Sequence, residues 1–107
     1  MSVNKVILLG NVGADPEIRY PENGKAIAFL SLATNETTHG GNEITEWHKL
    51  IMHGDMAEMA EKYIRKGTQL YVEGRLSTRE YEDRMKITRR RTEIIVRFFE
   101  ILGRKSS

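Results

Sequence analysis

A small all-β barrel, five strands with one helix between the third and fourth, is the fold class this sequence predicts. Three observations lead there. The chain has 107 residues, enough for one domain around a single core. Its apolar residues fall in short runs bounded by Gly, Pro and Asn, as strands do. The period changes to a helical one in a single place, "DMAEMAEKYIRKG" (55–67).

The elements follow in order. "VNKVILLG" (3–10) is a short β-branched run stopped by glycine, and "NVGADPE" after it is a turn. "YPENGKA" carries Pro21 and an Asn23-Gly24 pair, a hairpin signal. "KAIAFLSLATN" (25–35) is apolar at nearly every position, which predicts a strand buried on both faces. "ETTHGGNE" is a polar loop, and "EITEWHKLIMHG" (43–54) is the third strand.

In residues 55–67, Met56, Met59, Ala60, Tyr63 and Ile64 recur at helical spacing, with Asp55 as expected N-cap and Gly67 as the stop. "TQLYVEGRLSTREYED" (68–83) alternates strictly, and "RRRTEIIVRFFEILG" (89–103) supplies the final strand. This is the element order of the OB-fold, a Greek-key barrel. The expected domain is 1–103, followed by a short basic end, 104–107.

Composition narrows the function. Seventeen Lys and Arg against 15 Asp and Glu give +2 at pH 7, too small an excess to imply nucleic acid by itself. The absence of cysteine excludes disulfides, thiolate zinc sites and a thiol nucleophile, and fits a reducing cytosol. The opening apolar run is too short for a membrane span and lacks a leader's pattern, so a cytoplasmic protein without membrane partners is expected.

Alternation then assigns faces. On the third strand Thr45, Trp47, Lys49, Ile51 and His53 share one face, opposite Ile44, Glu46, His48, Leu50 and Met52. On the fourth, Leu70, Val72, Gly74, Leu76 and Thr78 form the core face, and Tyr71, Glu73, Arg75, Ser77, Arg79 and Tyr81 the other. Rings interleaved with cations suit an unpaired polynucleotide: bases stack on the rings and phosphates meet the cations. Each residue alone has a plainer reading. A lone Trp usually packs in a core or interface, arginines on a strand are usually solvated, and a lone His is usually a hydrogen-bonded surface residue.

The stretches "NKVILLGNVGADPEIRY", "SLATNE", "TEWHKLIMHGDMAEMAEKYIRKG", "LYVEGRLSTREYED" and "TEIIV…ILGRK" closely resemble the bacterial single-stranded DNA-binding protein family, from about Asn4 to Lys105. The resemblance implies an OB-fold that assembles as a homotetramer, carries no cofactor, catalyses nothing, and binds single-stranded DNA in replication, recombination and repair on the nucleoid. It implies base stacking by Trp47, Tyr81 and His53, and phosphate contacts by Lys49, Arg79 and Lys66. Arg75, Arg19 and Lys5 join these as cations expected to hold phosphates, and His48 and Tyr71 fall where relatives meet their neighbouring subunits. The sequence departs from the family near Thr38, where relatives carry another stacking ring and only His39 is close. Asp55 and Glu80 stand where relatives carry lysines, so a less positive groove is expected. Relatives continue into a tail with an acidic tip that recruits replication and repair proteins; "GRKSS" is short and basic, so either these residues are the binding domain alone or that recruitment is lacking.

Rival classes leave weaker traces. Asp15, Glu17, Asp55 and Asp83 show no spacing suited to two-metal hydrolysis, and His48 and His53 face opposite ways, so they cannot share a zinc ion. A primosome-type protein-docking module on the same barrel is the alternative reading, but such relatives often lose the stacking rings. RNA binding also remains open, since a stacking platform without 2′-hydroxyl contacts separates RNA from DNA poorly.

Overall fold

Six strands and one helix make up the computed structural model, which describes residues 1–104. They are β1 (Val6–Val12), β2 (Glu17–Arg19), β3 (Ile27–Thr37), β4 (Glu43–His53), α1 (Asp55–Tyr63), β5 (Thr68–Glu82) and β6 (Thr88–Arg104). Of the expected basic end, 104–107, Arg104 is the last residue of β6, and 105–107 lie outside the described residues. Five strands close a barrel in the order β1-β5-β6-β4-β3, and β1 rejoins β3 through Asn11↔Ala33 and Val12↔Leu32. Every pairing is antiparallel except β4 with β6, which is parallel over Leu50↔Ile94 and Ile51↔Ile95. With α1 between the third and fourth barrel strands, this is the predicted OB-fold.

The sixth strand is unpredicted. β2 hangs on the far edge of β3 through Glu17↔Phe29, Ile18↔Ala28 and Arg19↔Ile27. Three residues are too few to display a period of two, so no alternation could reveal it. The Pro21–Gly24 turn, closed by the Gly24 N–H on the Pro21 carbonyl, joins β2 to β3. The Asn23-Gly24 pair lies in this turn, and the first strand of the hairpin is β2.

Leu30, Leu32, Leu50, Met52, Leu70, Val72, Ile94 and Val96 fill the barrel, with Val12 and Ala28 among them. Burying each of the larger chains stabilises the fold by about 1.5–3 kcal/mol. β3 is buried on one face only. Ala28, Leu30 and Leu32 point inward, whereas Ile27, Phe29 and Ser31 are half-buried on the outside. An apolar run does not say what covers its second face, and here that cover is partial.

The helix also differs from expectation. Gly54, at φ 64°, is the N-cap, and Asp55 is already helical in the first turn with Glu58. β4 runs to His53, opposite Ile27, so the chain must swing into the helix within one residue. That left-handed turn is cheap only for glycine. The helix ends at Tyr63 rather than near Gly67, because Ile64 turns extended and drops into the core. Ala57, Ala60 and Ile64 form the buried stripe, while Met59 and Tyr63 are exposed.

Beyond the barrel both long hairpins continue as two-stranded arms, β3–β4 to Thr37↔Glu43 and β5–β6 to Glu82↔Thr88. Leu76 and Thr78, expected in the core, are exposed on the second arm, where the Thr78 hydroxyl meets that of Thr92 at 2.9 Å. Past the first β4–β6 rung, Leu50↔Ile94, β6 is paired with β5 alone, so the inner face of β5 there lies outside the closed barrel.

Candidate nucleic-acid interface

Register builds the site. Residues opposite one another in an antiparallel pair share a face, so β2, β3 and β4 form an outer wall in rows. The rows run Arg19–Ile27–His53, Glu17–Phe29–Ile51, Ser31–Lys49 and Ala33–Trp47. Trp47 stands at the foot of the β3–β4 arm and is 60% exposed. The alternation read along residues 43–54 matches this register, and the indole is not a core residue.

A residue with no side chain holds that indole in place. The six-membered ring of Trp47 lies over Gly13, where a Cβ would fall 2.4 Å from Cζ3 and 2.7 Å from Cη2. The Gly13 N–H donates to the Ser31 carbonyl at 3.0 Å, fixing this stretch of backbone to the wall. The ring thus rests on glycine backbone. This contact links residues 34 positions apart, and no local pattern announces it.

Two clefts flank Lys49. One lies between the arms, lined by Trp47, His48, Lys49, Leu76, Arg90 and Arg91 among others. The other runs along the wall and includes Asp15, Glu17, Arg19, Phe29, Lys49, Arg79, Arg91 and Glu93. Lys49 and Arg91 line both, so they join the clefts into one path. Arg91 also places its guanidinium carbon 5.4 Å from the centre of the Tyr81 ring. In the sequence Arg91 is one of three consecutive arginines, 89–91, and spacing singles out none of them.

Tyr81 sits near the tip of the β5–β6 arm, opposite Arg89, and is 44% exposed. Arg79, two residues before it, is held by Glu93, with Nε 3.0 Å from Oε1. The Glu93 side chain is only 5% exposed, so a nearly buried carboxylate aims this guanidinium along the cleft. The tip itself is tied by Asp83. One carboxylate oxygen accepts the N–H groups of Met85 and Ile87, and the other takes Arg89 Nε at 3.0 Å. The Ile87 N–H first, then the Arg89 guanidinium, hold the Asp83 carboxyl below the usual carboxylate range.

The remaining predicted residues are less gathered. His53 is exposed at the end of β4, on the same face as Lys49 and in the Arg19 row, but lines neither cleft. Lys66 is exposed, and its backbone N–H donates to Asp15 at 2.8 Å, at the margin of the wall cleft. Lys5 reaches Glu73 at 3.7 Å on the β1–β5 side. Arg75 is half-buried opposite Ile95, outside both clefts. His48 is half-buried and shares a 2.9 Å hydrogen bond with the Thr34 hydroxyl. Tyr71 donates its hydroxyl to Glu73, which raises its pKa, and it meets Phe98 edge to face at 6.2 Å. Thr38 closes the β3–β4 loop with Asn42, its N–H 2.8 Å from that carbonyl, and His39 beside it is exposed. Among the described residues no cluster of three or more His, Asp or Glu could hold a metal ion, and no helix is long and apolar enough to cross a membrane.

A profile of the single-strand binding protein family matches residues 3–102. The chain belongs to that family. It is also similar to a solved structure described as Plasmodium falciparum SSB complex with ssDNA. The two are 33% identical and superpose with a TM-score of 0.88, over 96% of this chain and 97% of that one. Proteins of the single-strand binding family bind and do not catalyse. The exposed indole and the joined clefts agree with membership.

Proposed function

We propose that this protein binds single-stranded DNA without sequence preference and shields it during replication, recombination and repair. One observation carries the reading: an open indole lines the cleft between the arms together with Lys49 and Arg91, the two cations that join that cleft to the one along the wall. Bases offer a π-face whatever their identity, and stacking on an aromatic ring contributes about 1–3 kcal/mol per base. A duplex hides those faces, so single strands are favoured. Trp47 and Tyr81 are the stacking rings, with His53 at the edge of the same wall. Lys49, Arg79 and Arg91 meet phosphates; Arg19 and Lys66 border the path, and Lys5 and Arg75 contribute only to its distant field.

The protein acts as a homotetramer in the cytoplasm, associated with the nucleoid. Supporting assembly, Ile7, Leu9 and Phe98 are exposed together on the outer face of β1, β5 and β6, around half-buried Tyr71. Glu73 and Glu100 stand in the same rows, and exposed apolar side chains set among carboxylates in this way fit a protein contact.

The test is a titration of Trp47 fluorescence with oligo(dT) at several salt concentrations, alongside light scattering for mass. Quenching is expected, with affinity falling as salt rises by about 0.7 in logarithmic slope per phosphate neutralised. An unquenched indole, or affinity indifferent to salt, refutes single-strand binding through this face; a monomeric mass refutes the tetramer.

A further inference from the structure

We propose that Phe29 and Arg19 form a separate subsite for an unpaired nucleobase, on the far side of Lys49 from Trp47. The inference rests on the single-strand reading above and adds a ring that sequence patterning assigned to the core. Phe29 lies on the outer wall between Glu17 and Ile51, and Arg19 sets its guanidinium carbon 4.9 Å from the ring centre. Four residues of β3 separate the Trp47 row from the Phe29 row, ~14 Å along the strand, with Lys49 on the row between. The order along the wall is ring, cation, ring.

The chemistry favours a base over a phosphate here. Glu17 and Asp15 line the same cleft beside Arg19, and both carry the charge of a phosphate. A neutral base escapes that repulsion, and a guanidinium plane backed by a ring is a surface on which bases stack. The cap is also lightly held. Arg19 meets Glu17 at 3.5 Å with side chains 64% and 63% exposed, so solvent screens the pair and it contributes little. With so weak a tether to Glu17, Arg19 stays on Phe29 and presents its plane to the base.

Three variants separate this subsite from general charge and from packing. Arg19→Lys keeps the charge and removes the plane; Phe29→Leu keeps the apolar filling and removes the ring; Arg19→Ala removes both plane and charge. Affinities for oligo(dT) of increasing length are read by Trp47 quenching at several salt concentrations. Arg19→Lys and Phe29→Leu are each expected to bind long oligonucleotides about fivefold or more weakly, with the salt slope of the parent and unchanged affinity for the shortest ones. Arg19→Ala is expected to lose at least as much. Photocrosslinking with oligonucleotides carrying 5-iododeoxyuridine should leave adducts on Phe29 or Arg19 as well as on Trp47. Arg19 is exposed, so its variants fold even if Phe29→Leu does not. Parental affinity in Arg19→Lys, or adducts confined to Trp47 and Tyr81, overturns the subsite while Trp47 quenching leaves single-strand binding standing. A parent protein that oligo(dT) does not quench overturns both.

Discussion

Trp47 and Tyr81 are both exposed rings beside cations, yet they are held in opposite ways. Trp47 rests on the Gly13 backbone at the foot of one arm, where the barrel wall fixes its position. Tyr81 stands far out on a two-stranded ribbon, steadied by Arg91 and by the Asp83 turn beyond it. A ring locked before binding loses little freedom when a base arrives, whereas a ring on an arm loses more. Equal chemistry should therefore yield unequal affinity.

The largest effect is expected for Trp47→Ala, a loss of about 1–3 kcal/mol in oligo(dT) binding. Its melting temperature should stay near the parent's, because the ring is mostly outside the core. Binding of Trp47→Ala must be followed by anisotropy of a labelled oligonucleotide, since the intrinsic probe is gone. Gly13→Ala comes next. Its Cβ must displace the indole, so emission should shift and affinity should fall by about tenfold, near the lower half of the same stacking range. Parental emission and affinity in Gly13→Ala would show that the seat is unimportant and erase the difference between the two rings.

Tyr81→Ala is expected to cost about 1 kcal/mol, less than Trp47→Ala. Arg91→Ala should not add fully to it, because the guanidinium and the ring lean on each other. A double-mutant cycle on oligo(dT) affinity reads that coupling, and strict additivity would mean that they act apart. The smallest effect concerns Asp83. Its carboxyl is held low in the folded chain, so its support for the turn is complete above the ordinary aspartate range and is lost as pH falls through the lowered folded value. The Met85 and Ile87 amide resonances should follow that low midpoint. A midpoint at the ordinary aspartate value would show that the turn is loose, and with it the outer end of the arm.

Periodicity made the barrel legible, since strand parity depends only on neighbours along the chain. It put Trp47, Lys49 and His53 on one face and His48, Leu50 and Met52 on the other, as the structure has them. It failed where the deciding contact is remote. Phe29 looked like core because an apolar run is silent about its cover, and Leu76 and Thr78 looked like core because nothing local marks where the ladder to β6 begins. Gly13 gave no signal, its reason being a ring on another strand. Arg75 and Arg79 share a parity, but Arg79 lines the wall cleft and Arg75 stays on the barrel, a separation that spacing cannot encode.

The parallel seam between β4 and β6 has a mechanical consequence. Two rungs, Leu50↔Ile94 and Ile51↔Ile95, clasp the strands from which both arms spring. So short a seam leaves the outer length of each ribbon hydrogen-bonded only within its own hairpin, while the lengths behind it belong to the closed, filled barrel.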